Sequence, residues 1–236
     1  MKSLLSKYYD YLYKVTYKIG MLLSKRSDSY GIALMYHYVT DEEVDTIEPC
    51  KCKVKIFENT LSNMKEEGYI FVSVDQCLSY IKQKTPIKYA LVTFDDVPEC
   101  VYYNAYPILK RLHIPFILFV TTDYIDKQGY LTTAQLKEMD NDPLCLIGAH
   151  TVTHPMLRKV RNSWEEMNNS KEILEKLLGH TIDYMAYPYG LQTAVSIKVM
   201  RQAKKIGYKC AFGTIQVPIS DFSRLCLYYL PRIVRN

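Results

Sequence analysis

Long apolar stretches are missing from this sequence of 236 residues. No window approaches the run of about 18 apolar residues that a membrane-spanning helix needs, so no such helix is expected. The N-terminus also lacks the apolar core of about seven residues of a signal peptide, because Leu4 and Leu5 are followed directly by Ser6 and Lys7. We therefore predict a cytoplasmic protein without a signal peptide.

Paired cysteines are also lacking. The seven cysteines are an odd number, and only Cys50 and Cys52 lie close together in the sequence. Neither a disulfide framework nor a zinc finger is indicated by these spacings. We predict reduced thiols, several of which serve as small apolar side chains in buried strands.

A strong excess of one charge is absent. The 30 Lys and Arg residues against 25 Asp and Glu residues give a net charge of +5, which is too small to indicate a nucleic-acid partner. Residues 1–30 hold six basic and two acidic residues, so the first 30 residues carry +4 and the remaining 206 carry +1. The basic character is therefore a property of the N-terminus.

The same N-terminal segment has apolar and aromatic side chains at three- and four-residue steps, which predicts an amphipathic helix with lysines on its other face. The periodic positions are Leu4, Tyr8, Tyr11, Leu12, Val15, Ile19 and Leu22. Such a helix either lies on an anionic membrane surface, at the inner face of the membrane, or packs against the rest of the protein. We predict residues 1–30 as this helix and residues 31–236 as one α/β domain.

Apolar, β-branched or aromatic runs alternate with helical patterns over the rest of the chain. The runs lie at 31–36, 69–74, 89–94, 115–120, 144–149, 182–187 and 208–212, with a weaker one at 225–230. Repeated strand–helix units predict a parallel sheet, which is either closed into a barrel or open and doubly wound. No Gly-x-Gly-x-x-Gly follows the first strand, so a nucleotide-binding open sheet loses support. The length also fits a single α/β barrel.

Glycines mark the ends of predicted helices. A helix whose N-cap is predicted at Ser163 ends at Gly179, and a helical segment over 193–206 ends at Gly207. Ser163 and Glu166 have the spacing of a capping box at the start of the first of these helices.

Reactive residue types follow several of the predicted strands, at the end where βα barrels carry their active sites. The residues at these strand ends are His37, Asp95, Asp96, His150, His154, the segment Tyr187–Gly190 and Arg232. His113 and His180 precede their strands, so we expect them at the opposite end and regard them as poor catalytic candidates.

This combination of residues suits metal-assisted hydrolysis. One carboxylate of a pair can bind a metal while its neighbour accepts a proton from water. Two histidines four residues apart can converge on the same metal, and Asp plus two His leaves positions open for water and substrate. Taken singly, Asp-Asp can be a helix cap and Tyr-Pro-Tyr-Gly a turn. Their common location is the observation that favours a catalytic site.

Three segments resemble the polysaccharide deacetylase family, also called carbohydrate esterase family 4 or the chitooligosaccharide deacetylase homology domain. They are Thr93-Phe94-Asp95-Asp96, His150-Thr151-Val152-Thr153-His154 and Ala186-Tyr187-Pro188-Tyr189-Gly190. The resemblance covers about residues 31 to 234. Met35-Tyr36-His37-Tyr38 and Leu230-Pro231-Arg232-Ile233 look like the branch that deacetylates poly-N-acetylglucosamine and related surface glycans.

The resemblance implies a distorted (β/α) barrel of about seven strands. It implies a divalent metal, usually zinc with cobalt or nickel as substitutes, held by Asp96, His150 and His154. Asp95 would be the general base, and the backbone N–H of Tyr189 would help to hold the oxyanion. The implied reaction is hydrolysis of N-acetyl groups on an aminosugar-containing saccharide, with release of acetate.

Two departures from the family pattern concern the acid and the partner of the base. Many members use a C-terminal His as the acid, but no His follows His180. We assign this role to His37, whose alternative is a histidine packed at a strand end. Ala186 stands where many relatives have an Arg that orients the base. Arg232 can replace that Arg through a bidentate contact with a carboxylate, its alternative being a surface location.

The third departure is Val97-Pro98, where the family has Gly after the paired aspartates. Val resists the positive φ that Gly permits, and a residue before Pro is pushed toward extended conformations. We expect the loop that holds Asp96 to take another path, with activity lowered or lost.

Two other functions compete with deacetylation. One is a non-catalytic member of the fold that binds glycan or protein, which Val97-Pro98 favours and the intact set of aspartates and histidines opposes. The other is a metal-dependent hydrolase of a different small amide. No feature of the sequence indicates an oligomeric state.

Overall fold

Residues 31–44, 50–83 and 87–235 are described by the computed structural model. The basic amphipathic helix that we predict for residues 1–30 lies outside the described residues. Within the described part of the chain, no helix has both the length and the apolar character needed to cross a membrane. Cys52, Cys77, Cys145 and Cys210 are buried, and three of these four lie in strands, so the predicted use of cysteines as small apolar side chains in buried strands is confirmed for those three.

The predicted parallel sheet is confirmed. In chain order the strands are β1 (Gly31–Tyr36), β2 (Tyr38–Val39), β3 (Lys51–Cys52), β4 (Ile70–Phe71), β5 (Tyr89–Asp95), β6 (Phe116–Val120), β7 (Cys145–Ala149), β8 (Tyr184–Ala186), β9 (Cys210–Phe212) and β10 (Ile233–Val234). The spatial order of the main sheet is β10-β1-β5-β6-β7-β8-β9, with β4 beside β5, while β2 and β3 form a separate pair. Every strand pairing is parallel.

Helices connect the strands of the sheet. They are α1 (Val54–Glu66), α2 (Val74–Gln83), a π-helical turn (Val101–Ala105) that continues into α3 (Tyr106–Arg111), a 3₁₀ turn (Thr122–Tyr124), α4 (Thr133–Asp140), α5 (Ser163–Leu178), α6 (Ile197–Ile206) and a 3₁₀ segment (Asp221–Tyr229). Gly179 and Gly207 end α5 and α6 with φ of 82° and 103°, as their positions predicted.

The C-terminal segment joins the two edges of the curled sheet. Leu230 forms a parallel bridge with Phe212 of β9, and Ile233 of β10 pairs with Leu34 of β1. The expected distorted (β/α) barrel is therefore confirmed. Its closure brings Arg232 and β10 against the C-terminal halves of β1 and β5.

Strands β1, β5 and β6 are buried along their whole length, so both of their faces are covered, which explains their continuous apolar runs. Leu34 of β1 belongs to the large apolar cluster that includes Phe57 of α1. Its neighbour Ala33 belongs to a second cluster, which lies on the concave side and contains Phe119 and Phe212. The polar residues at the strand ends stand on top of this second cluster.

Two strand predictions need correction. In the run at 69–74 only Ile70–Phe71 is a strand, because Ser73 accepts a hydrogen bond from the Gln76 N–H and caps α2 instead. The run at 225–230 is a 3₁₀ segment that begins after Ser220, whose side chain takes part in a capping box, and only Leu230 bridges to the sheet. In both places a local side-chain cap overrides the apolar pattern.

Candidate metal centre and active site

The loop after β5 turns sharply around Asp96. Asp95 is the last residue of β5, and its carbonyl accepts a hydrogen bond from the Val97 N–H at 2.6 Å. Asp96 and Val97 have φ of 60° and 58°, and Val97 is buried with 1% exposure. A β-branched residue at positive φ is strained, at a typical cost of about 1–3 kcal/mol. Our expectation that Val97 would resist a positive φ is wrong, because Val97 itself takes the left-handed conformation, while the expected loss of activity stays a prediction.

This turn places Asp96 against the two histidines of the His-x-x-x-His segment. Asp96 Oδ1 lies 3.3 Å from His154 Nε2 and 3.7 Å from His150 Nε2. The potential ligand atoms of the three residues all lie within 4.8 Å of one another. One carboxylate oxygen and two imidazole nitrogens form a donor set that zinc and similar divalent metals accept, with positions left open. The residues therefore fit a divalent metal.

His150 is held in the form that a metal ligand requires. Its Nδ1 lies 2.8 Å from the Ala186 carbonyl oxygen, so Nδ1–H donates there and Nε2 keeps its lone pair toward Asp96. Burial lowers the pKa of His150 to about 4, although Asp95 and Asp96 act in the opposite direction. The imidazole is therefore neutral at physiological pH, with one nitrogen free to bind a metal.

The loop between the histidines is also strained and tightly bonded. Thr151 and His154 have φ of 71° and 58°. The His154 N–H donates to Thr151 Oγ1 at 3.1 Å. The predicted capping box at Ser163 and Glu166 is wrong, because α5 begins at Ser163 itself with Asn162 as its N-cap, and Glu166 bonds to this loop instead.

Asp95 is paired with Arg232. The guanidinium donates from Nη1 to Asp95 Oδ1 at 2.5 Å and from Nη2 to Oδ2 at 2.6 Å. Arg232 is fully buried, so the alternative of a surface arginine is wrong. Arg232 Nε also donates to the Gly213 carbonyl at 3.0 Å, and Nη1 donates to Thr93 Oγ1 at 3.1 Å. The bonds to Gly213 and Thr93 thus hold the guanidinium in the orientation in which it contacts the Asp95 carboxylate.

The electrostatic effect of this pair on Asp95 is large. Burial alone would raise the pKa of Asp95, but Arg232 and then His150 outweigh it and hold the pKa well below its usual range. Asp95 Oδ2 lies 3.8 Å from His150 Nε2. An ionised carboxylate is therefore held beside the three potential metal ligands.

His37 lies at the same end of the barrel. It directly follows β1, and its charge is close enough to Asp95 to lower the pKa of that carboxyl. Its Nδ1 is buried and has no hydrogen-bond partner among the described residues. His180, by contrast, precedes β8 and pairs with Asp140 at 2.9 Å, away from these groups. The predicted separation of the histidines between the two ends is confirmed for these two residues.

Tyr189 lies on the exposed side of the site. Its φ is 61°, its side chain is 47% exposed, and its ring centroid lies 4.9 Å from that of His154. In the described part of the chain, no acceptor is bonded to the Tyr189 N–H, whereas its carbonyl accepts from Thr214 Oγ1 at 2.9 Å. A backbone donor is therefore available beside the three potential metal ligands.

Further tyrosines continue this aromatic surface. The Tyr124 ring lies 6.3 Å from the His154 ring and 4.6 Å from the Tyr130 ring. Tyr124 and Tyr130 are half-buried, so their faces are partly accessible. Sequence reasoning missed both, because 22 tyrosines in the chain give no single one a distinguishing signal.

Comparison with known proteins finds deacetylases among the relatives of this chain. The family model for polysaccharide deacetylase matches residues 82–211. Poly-β-1,6-N-acetyl-D-glucosamine N-deacetylase from Staphylococcus aureus is 29% identical over 194 residues, which is 75% of this chain and 65% of that protein. The chain thus spans slightly less than two thirds of the length of this curated relative.

Two solved structures have the same fold. The Streptococcus pyogenes deacetylase PplD, in complex with acetate, superposes with a TM-score of 0.78 at 28% identity, over 88% of this chain and 92% of that one. IcaB from Ammonifex degensii superposes with a TM-score of 0.77 at 25% identity, over 88% and 92% of the two chains. With the Asp-His-His cluster and the barrel in place, the family match shows that this chain belongs to the polysaccharide deacetylase family.

Proposed function

We propose that this chain is a divalent-metal-dependent N-deacetylase that removes acetyl groups from an aminosugar-containing polysaccharide. The observation that carries the proposal is the Asp96, His150 and His154 cluster beside the buried pair of Asp95 and Arg232. The S. aureus relative is named for poly-β-1,6-N-acetyl-D-glucosamine. A polymer of N-acetylglucosamine or a closely related surface glycan is therefore the substrate class that we assign.

Each residue of the site has a chemical task in this proposal. A divalent cation held by the three ligands, most simply zinc with cobalt or nickel as substitutes, supplies Lewis acidity to a water molecule and to the amide carbonyl. Asp95 accepts a proton from the attacking water, and Arg232 keeps that carboxylate ionised and oriented. The Tyr189 N–H donates to the oxyanion that develops on the carbonyl oxygen.

The last task is the departure of the amine. His37 donates a proton to the sugar nitrogen as the carbon–nitrogen bond breaks, so acetate and a free amine leave. The half-buried rings of Tyr124 and Tyr130 give the site an aromatic wall, a common lining of sites for organic ligands. This wall supports a sugar ring as the bound group.

The test combines metal analysis with acetate release in one preparation. Wild-type protein is expected to carry a divalent metal and to release acetate from N-acetylglucosamine oligomers. Asp95→Asn should keep the metal and lose turnover, while the exposed control Asp123→Asn should keep both. Loss of metal in Asp95→Asn would make Asp95 a ligand or a fold determinant instead of the base. Acetate release from a simple N-alkyl acetamide, with none from the oligomers, would favour the hydrolase of another amide.

A further inference from the structure

Glu166 of α5 is a buried carboxylate that bonds to the loop between the two metal-site histidines. It is 6% exposed. Its Oε2 accepts hydrogen bonds from the Val152 N–H at 3.1 Å and the Thr153 N–H at 2.9 Å, and its Oε1 accepts one from Thr153 Oγ1 at 2.9 Å. Both carboxylate oxygens are thus engaged by the short segment that separates His150 from His154.

The backbone of this segment is bent so that its N–H groups require an acceptor outside the loop. Positive φ at Thr151 and at His154 bends the chain so that two successive N–H groups point at the same carboxylate. Successive N–H groups aimed at one point form a concavity that favours an anion. The opposite side of the loop is bonded to the 3₁₀ turn, where the Asp123 N–H donates to the Val152 carbonyl at 3.0 Å.

The two histidines differ in how much they depend on the loop. His150 is fixed independently, through its ring bond to Ala186 and through its backbone N–H, which donates to the Val120 carbonyl at 2.9 Å. The His154 ring, in the part of the chain that is described, has Asp96 as its polar neighbour and no carbonyl acceptor for its second nitrogen. The Tyr189 and Tyr124 rings flank it with centroids at 4.9 and 6.3 Å, so the hydrogen-bonded restraint on its position comes from the backbone of the loop.

We infer that Glu166 is a positioning residue, which holds His154 in the place where it can complete the metal site. The inference rests on the proposed metal centre and names the residue that keeps its most exposed imidazole ligand in place. Groups that orient ligands in this way typically contribute about 10- to 100-fold to metal affinity.

The experiment measures the zinc affinity of the full chain by competition with a chromophoric chelator, starting from metal-free protein. Glu166→Ala is expected to bind zinc about 10- to 100-fold more weakly. Glu166→Gln should stay close to wild type, because its amide oxygen can accept both N–H bonds and its amide nitrogen can donate to the Thr153 hydroxyl. Glu165→Ala, which changes the exposed neighbour on the same helix, should leave the affinity unchanged.

A second variant and a second measurement separate positioning from general stability. Glu166→Asp keeps the charge but is too short to reach all three donors, so it should weaken zinc binding by an intermediate factor even if Glu166→Ala does not fold. In metal-free protein, the Val152 and Thr153 amides should exchange hydrogen faster in Glu166→Ala and in Glu166→Asp than in wild type.

Two results would overturn the inference in different ways. If Glu166→Asp, or a folded Glu166→Ala, lowers the melting temperature but binds zinc like wild type, Glu166 only stabilises the fold. If wild-type protein itself binds no zinc, cobalt or nickel, the proposed metal centre fails, and the inference fails with it.

Discussion

The carboxylate of Asp95 and the guanidinium of Arg232 form a fully buried bidentate pair between residues 137 positions apart in the chain. Arg232 lies in the C-terminal segment that closes the barrel, whereas Asp95 ends β5. The closure of the fold and the charge state of the proposed base therefore depend on the same contact. Arg232 also lies over the rings of Phe119 and Phe212, at 5.4 and 6.0 Å from their centroids, so its charge is surrounded by apolar groups.

Replacing Arg232 by Met should therefore lower the free energy of unfolding by about 3–5 kcal/mol at neutral pH, because it leaves a buried carboxylate without a partner. Since Arg232 depresses the pKa of Asp95, the stability that this pair contributes is present above the unfolded pKa of about 3.9 and is lost as the pH falls through the folded value. Denaturant titrations should show the deficit shrinking as the pH falls from neutral, first because burial raises the pKa of the unpaired Asp95 in the variant and then because the wild-type pair is lost.

The matched control for this prediction is Arg111→Met. Arg111 is exposed and pairs with Glu58 at 2.9 Å on the surface, so its loss should lower the free energy of unfolding far less than the loss of Arg232. Equal losses of stability in the two variants would show that burial does not distinguish the two arginines.

His37→Gln should reduce the turnover number by about 10²- to 10⁴-fold while the bound metal is retained. The reason is that the leaving amine then lacks a proton donor. The defect should be smaller on an acetanilide with an electron-withdrawing ring, since its amine departs more readily without protonation. The measurement is acetate release from N-acetylglucosamine oligomers and from the acetanilide. His180→Gln, at the other end of the barrel, is the control. An equal loss on the two substrates would contradict the acid role.

The sequence predicted most of the barrel because buried parallel strands are continuous apolar runs with recognisable neighbours. The runs at 31–36 and 144–149 became β1 and β7 with shifts of at most one residue. The run at 225–230 was mispredicted, because the capping bonds of Ser220 start a 3₁₀ segment that apolar periodicity does not reveal. Local hydrogen bonds, and not the strand propensity of its apolar residues, determine the conformation of that segment.

The site was predictable where chemistry and strand position coincide in the sequence, as at Asp96, His150 and His154. For Arg232 the sequence offered both a bidentate contact with a carboxylate and a surface location, and it could not decide between them, since the C-terminal segment reaches β5 only through the tertiary closure of the barrel. Glu166 was misassigned because Ser163 and Glu166 have the spacing of an N-cap residue and its capping-box partner. The N-cap of α5 is Asn162, one residue earlier, so Glu166 is the fourth residue of the helix. Its bonds to Val152 and Thr153 depend on how α5 packs against the loop.

His180→Ala should lower stability in a pH-dependent way, by up to about 1 kcal/mol, as is typical of an exposed ion pair. Burial alone would lower the pKa of His180, but the Thr181 carbonyl and the Asp140 carboxylate outweigh it and raise the pKa. The stabilisation is therefore complete below the unfolded pKa of about 6.5 and is lost as the pH rises through the folded value. Unfolding titrations at pH 5.5 and pH 9 should show a difference from wild type only at the lower pH.

Val97→Ala tests whether the turn after β5 is strained. Truncating a buried Val normally costs stability through lost apolar contact and a residual cavity. At Val97 part of this cost should be offset, because Ala relieves the crowding of a β-branched side chain at a φ of 58°.

The matched control is Val92→Ala in β5, where the residue is equally buried and has ordinary strand geometry. Chemical denaturation should show that Val97→Ala costs at least about 1 kcal/mol less than Val92→Ala. Equal costs would mean that the turn stores no strain at Val97, and that the Gly common in the family is replaced here without an energetic penalty.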